Sequence, residues 1–180
     1  MHARLAAVAS AQHGVFTRAQ AMAAGFSPGQ VDHRLRSKCW RRVLPRVYRD
    51  ALDPAGDQVA RWAAVLWAGP DSALSHTTAA VMWGLPVVAF GTELVVSRRR
   101  ALARVPGIFV HRPQRLDPDD VQLLDGLPVT SPLRTLIDLS AVLDDADFEA
   151  ALEGARSRDL VIASATPTRG RFRSAARRTG

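Results

Sequence analysis

Between residues 28 and 49 the chain concentrates side chains that can read or grip a polyanion. On a wheel of about 100° per residue, Gln30, His33, Arg36 and Ser37 fall opposite Val31 and Leu35, so a helix there would bury the two aliphatic residues and present the polar ones. Arginine can bond guanine O6 and N7 bidentately, and glutamine can do the same to adenine, so this face has the chemistry of major-groove readout. Arg34 and Lys38 add charge to the same helix and its end. The following stretch, WRRVLPRVYR, carries Arg41, Arg42, Arg46 and Arg49, which are assigned to phosphate or minor-groove contact. A polar helix face also suits plain solvent exposure, and some winged helices make only protein contacts. The elements around this face decide between these readings.

Those elements announce themselves in the sequence. Ala3 to Gln12 reads as a helix closed by His13-Gly14. Thr17 and Gln20 then form a T-x-x-Q capping box, with Phe16 and Ala21 as its hydrophobic staple, and Gly25 ends that helix. Ser27 and Gln30 at once repeat the box and Phe26 and Val31 the staple, with Pro28 at the first helical position. The second helix is expected from about Pro28 to Lys38. Two helices joined by so short a turn must cross steeply, which is a helix-turn-helix. Trp40, Val43, Val47 and Tyr48 supply strand-forming residues around a Leu44-Pro45 turn, which reads as a hairpin wing. Asp53-Pro54-Ala55-Gly56 reads as a linker.

Charge supports the division. Residues 1–50 hold nine Lys/Arg against two Asp/Glu, residues 51–163 ten against fifteen, and residues 164–180 five against none. Attraction for a polyanion is thus expected at the two ends of the chain, not in its middle. Cys39 is the one cysteine, which excludes an intramolecular disulfide or a Cys-based zinc cluster and suits a reducing cytoplasm; it is expected as a small semi-buried residue. The first residues lack the apolar core of a secretion signal, and the run VMWGLPVVAF is too short and too broken to span a membrane. The chain therefore reads as cytoplasmic, with no membrane partner.

The second part is expected to open with a helix over Asp57 to Ala68 and to continue with a helix containing SHTTAAVMWGL, short strands at Glu93 to Ser97 and Ile108 to His111, a hairpin at Asp125-Gly126, and helices from Ser131 to Val142 and from Asp144 to Arg158. Its candidates for chemistry are weak. None of His2, His13, His33, His76 and His111 stands in a metal-ligand spacing, and there is no phosphate-binding loop. Ser75 reads as a helix N-cap with His76 structural behind it, and LDPDDV reads as a turn despite Asp117, Asp119 and Asp120. The run Arg98 to Arg100 reads as internally compensated charge. Lys38 is the only lysine, which argues against a nuclease built on paired acids and a lysine. No catalytic residue, metal or cofactor is expected. The segment from Ser164 has no apolar periodicity and reads as disordered.

HGVFTRAQAMAAGFS, WRRVLPRVYR, LSHTTAAVMWGL and GLPVTSPLRTLIDL, in that order, resemble the actinobacterial branch of the AbiEi-like antitoxins of type IV toxin-antitoxin systems, from about Ala6 to Val161. The resemblance implies an N-terminal winged helix that binds and represses its own promoter, and a following domain linked to countering a nucleotidyltransferase toxin. It places DNA contact at Pro28 to Lys38 and Trp40 to Arg49. Family wings read L-P-G-V where this chain has Arg46 in place of the glycine, at a turn position needing positive φ. Many relatives continue past the stretch Arg158 to Val161 into a Vsr-like endonuclease domain, where this chain carries an Arg-rich tail, as a truncated copy would.

The expected protein is therefore α+β and not an enzyme: a winged helix-turn-helix (residues 1–52), a small mixed α/β domain (57–161) and a disordered basic tail (164–180). Its expected partner is the double-stranded DNA of its own promoter, with a homodimer and a nucleotidyltransferase toxin as further candidates. The alternatives are a toxin-neutralising interaction module that needs no DNA, and a remnant of an endonuclease-fused protein.

Overall fold

The computed structural model describes residues 3–96 and 101–161. The Arg98 to Arg100 run and the basic tail lie outside them. The chain divides into two units, with the boundary after Pro70.

In the first unit, α1 (Ala3–Ala11) leads into a short strand β1 (Val15–Thr17), followed by α2 (Arg18–Ala23), α3 (Pro28–Arg36), β2 (Trp40–Leu44), β3 (Val47–Asp50) and α4 (Asp57–Ala68). Both capping boxes are closed. The Gln20 N–H donates to Thr17 Oγ1 at 3.1 Å while the Thr17 N–H donates to Gln20 Oε1 at 2.8 Å. The second box repeats this with Gln30 and Ser27, at 3.2 and 2.8 Å. Gly25 ends α2 at φ +102°, a conformation that costs glycine little.

The strands form an antiparallel sheet in the order β1-β3-β2, with Phe16 opposite Tyr48 and Trp40 opposite Asp50. Because side chains alternate across a strand, this sheet feeds two cores. One face sends Phe16, Trp40 and Tyr48 to meet Leu5, Ala9, Ala21, Phe26 and Val31. Trp40 is its centre, edge-on to Phe16 and Phe26 with ring centroids 4.8 and 5.0 Å away, a geometry aromatic pairs favour. The other face sends Val15 and Val47 against Ala63, with Val59, Trp62 and Leu66 packed around them.

That second face corrects two expectations. β1 was not foreseen, and α4 does not open the second unit. It covers the back of the wing sheet, because Val15 and Val47 would otherwise face water. Cys39, expected semi-buried, is exposed.

In the second unit, β4 (Ser72–Leu74), α5 (His76–Met82), β5 (Thr92–Val96), β6 (Ile108–His111), β7 (Val121–Leu124), β8 (Leu127–Thr130), α6 (Pro132–Val142) and α7 (Asp145–Ser157) follow in turn. They build a mixed five-stranded sheet, β6-β5-β4-β8-β7. The Asp125-Gly126 turn has φ +51° and +78°, as a two-residue primed hairpin requires. Pro118–Asp120 forms a single 3-10 turn before β7, as read from LDPDDV. The helices enclose Ala80, Leu85, Leu136, Leu139, Phe148, Ala151, Leu152 and Ala155. Gly154 lets α7 lie on the loop after α5: a Cβ there would stand 2.6 Å from Pro86 Cδ.

A polar knot ties this unit internally. Arg134, 3% exposed, donates to Asp138 at 3.0 Å, to Asp120 at 3.2 Å and to the Arg115 carbonyl at 3.1 Å. Burial pushes the Asp138 carboxyl up to about 6 even though Arg134 pulls it down. Its Oδ2 is buried with no hydrogen-bond partner among the described residues.

Candidate nucleic-acid interface

α3 is held by its buried side and leaves its other side open. Val31 is fully buried, while Gly29, Gln30, His33, Arg36 and Ser37 are exposed. Its orientation against α2 is set by Arg18, which bonds Asp32 at 2.7 Å and reaches the Pro28 carbonyl at 3.4 Å. The same hydrogen bond holds the Asp32 carboxyl below the usual range. The one acid of α3 is thus turned to a cation and spent, which leaves the outward face basic.

The predicted residues divide by what already occupies them. His33 and Arg36 project from the open face, and Lys38 follows at φ +59°, in the left-handed position that closes a helix. Gln30 is on that face, but its Oε1 accepts the Ser27 N–H. It therefore serves the cap, and bidentate adenine contact would have to break the box. Arg34 is turned the other way, its guanidinium 5.9 Å from the Phe26 ring and 6.0 Å from the Trp40 ring, where cation–π attraction and packing hold it. Ser37 donates to the Arg34 carbonyl at 3.3 Å, ending the helix.

In the wing, Arg41 and Arg42 are exposed on β2 and alternate to its two faces. Arg46 is exposed at the tip with φ +65°, so the turn keeps the shape glycine would favour and sets a cation on it. Arg46 also contributes structurally, since its carbonyl accepts the Arg18 N–H at 2.9 Å, locking the wing tip to the start of α2. Arg49 is half-buried, and its guanidinium donates to the Asp53 carbonyl. It tethers the segment after β3 and is not an outward cation. The outward set is thus His33, Arg36, Lys38, Arg41, Arg42 and Arg46, narrower than the sequence suggested.

Two helices joined by a short turn, followed by a hairpin that pairs back onto a strand ahead of them, define a winged helix-turn-helix. Residues 3–49 match the protein family described as transcriptional regulator, AbiEi antitoxin, so the AbiEi likeness of this stretch is established. The match runs from the start of α1 to within a residue of the end of β3. No curated protein matches the chain. Among the described residues no helix is long and apolar enough to cross a membrane.

Proposed function

We propose that the protein is a DNA-binding transcriptional regulator of the antitoxin type that represses its own promoter in the cytoplasm, without enzymatic activity. The observation that supports this best is the outward set itself: His33 and Arg36 on a braced helix, flanked by Arg41, Arg42 and Arg46 on a wing, with the helix carboxylate neutralised by Arg18. Helix side chains supply base contacts and wing cations supply phosphate contacts, which together make a coherent interface. The second unit serves protein contact, to a nucleotidyltransferase toxin or a second copy. Its exposed Val88, Phe90 and Phe109 suit that role.

Fluorescence anisotropy with the upstream DNA of its own gene and a scrambled duplex tests the reading. Preference for the upstream DNA, with affinity falling steeply as salt rises, is expected; equal affinity for both duplexes refutes an operator. Arg36→Ala should relax base preference at one position by about 1–3 kcal/mol, whereas Arg42→Ala should weaken all sequences alike and lower the salt slope by about one. The groove assignment is wrong if neither substitution changes binding.

A further inference from the structure

The second unit brings together three side chains that lie far apart in sequence. His76 is the first residue of α5, Glu93 is on β5 and His111 ends β6, an edge strand of the sheet. One donor atom from each lies within 4.8 Å of the other two. His76 is 7% exposed, Glu93 15% and His111 33%, so the cluster is deep on one side and open to solvent on the other. We propose that these residues form a binding site for a late first-row divalent cation, with zinc as its best fit.

The donor set is two imidazoles and one carboxylate. This combination matches borderline cations and leaves a coordination position for water, whereas calcium and magnesium favour oxygen alone. Without an ion, the His111–Glu93 pair already stands near a ligand–ligand distance, although the stacked rings must part before all three donors converge. His111 Nε2 and Glu93 Oε1 are 3.3 Å apart, and a tetrahedral ion with bonds of about 2.0–2.1 Å holds its ligands roughly 3.3–3.4 Å apart. The ion would replace the hydrogen bond between these two atoms, with the proton of the neutral His111 ring carried on Nδ1 so that Nε2 is free to ligate.

Two of the three, Glu93 and His76, are also oriented from behind, as metal ligands commonly are. The other Glu93 oxygen accepts the Thr77 N–H at 2.8 Å and the Thr77 hydroxyl, which fixes the carboxylate and leaves Oε1 facing His111. Ser75 was expected to cap α5, but its hydroxyl lies 3.0 Å from His76 Nδ1 and makes no cap. In the tautomer whose Nδ1–H donates to this hydroxyl, Nε2 would be the ligating atom. His76 takes φ +48°, a costly backbone for a residue with a Cβ, and such strain gathers at functional sites. The two rings are stacked, with centroids 3.6 Å apart and planes at 18°. Nitrogens in parallel rings do not converge on one point, so metal binding must turn His111 out of the stack. This movement gives the site a signature.

The expectation of no metal rested on spacing along the chain. It missed this cluster because the fold, not the spacing, assembles it. The site is independent of whether α3 binds DNA.

The test uses the full chain, stripped by chelator and titrated with zinc by calorimetry and with cobalt by visible absorption. We expect one ion per chain with a Kd of roughly micromolar or tighter, cobalt d–d bands of a four- or five-coordinate centre, and a melting temperature that rises with zinc. Glu93→Gln and His111→Gln should each weaken binding about 100-fold or more, while His13→Gln leaves it unchanged. Should either variant fail to fold, histidine proton resonances of the wild type decide: those of His76 and His111 should shift together at one equivalent as the stack opens. No zinc binding by the wild type, binding unchanged in both variants, or shifts confined to other histidines would each overturn the proposal.

Discussion

The two units handle charge in opposite ways. In the winged unit a set of cations stands outward: Arg36, Arg41, Arg42 and Arg46 are exposed, and the acid on α3 is the group neutralised, by Arg18. In the second unit the most distinctive charges are taken inward. Arg134, Asp138 and Asp120 form a knot, and His76, Glu93 and His111 form a cluster. Charge placed outward costs little and is available to a partner, whereas charge placed inward must be satisfied by the protein itself or by an ion. The first arrangement suits a reversible polyanion contact and the second suits a fixed internal geometry.

The sharpest way to break this contrast is to remove the cation at the centre of the knot. Arg134→Ala leaves two carboxylates unpaired and should destabilise the second unit by about 3–5 kcal/mol, read from denaturant unfolding. A loss comparable to that of an exposed pair would mean that the knot is solvated.

Acid titration separates the inward charges further. Burial lowers His76 from 6.5 to about 3. The unfolded chain therefore takes up that proton first, and stability present above pH 6.5 is lost as pH falls towards 3. Asp138, raised from 3.8 to about 6, acts in the opposite sense and adds stability as pH falls from 6 to 4. For Glu93, burial alone would raise the carboxyl, but hydrogen bonds from His111 and Thr77 take it from 4.5 to about 2, so its contribution disappears only below 4.5. Metal-free protein should therefore show nearly flat stability between pH 6 and 4.5. His76→Gln should instead gain stability over that window, by at most about 1.4 kcal/mol per pH unit. Identical profiles for the two proteins would show that His76 does not resist protonation.

Two smaller substitutions test backbone placement, one in each unit. Gly154→Ala would favour a helix by propensity, but the added Cβ meets Pro86, so a net loss of about 1–3 kcal/mol is expected in thermal unfolding. Arg46→Gly should do the reverse, relieving a left-handed residue and stabilising the winged unit by up to about 1 kcal/mol. On the proposed function it should also weaken DNA binding through the lost cation. A melting temperature that falls in Arg46→Gly would show that the arginine side chain supports the wing more than its φ costs.

How much of this was legible in the sequence follows from the range of the interactions involved. The capping boxes at Thr17–Gln20 and Ser27–Gln30, the hairpin of β2 and β3, and the Asp125-Gly126 turn are contacts within a few residues, and each was read directly. The strand β1 was not, because three residues carry no periodicity of their own and Val15, Phe16 and Thr17 become a strand only by pairing with Arg49, Tyr48 and Val47. The allegiance of α4 escaped for the same reason, since its amphipathic pattern shows that it covers something without saying what.

Local chemistry in the sequence alone thus settled the helix-turn-helix, the wing and the basic character of the face between them. Tertiary structure decided which basic residues remain outward. It turned Arg34 to Phe26 and Trp40, Arg49 to the Asp53 carbonyl and Gln30 to the Ser27 N–H. It alone also assembled His76, Glu93 and His111, because a site drawn from one helix and two strands has no spacing along the chain, only a position in space.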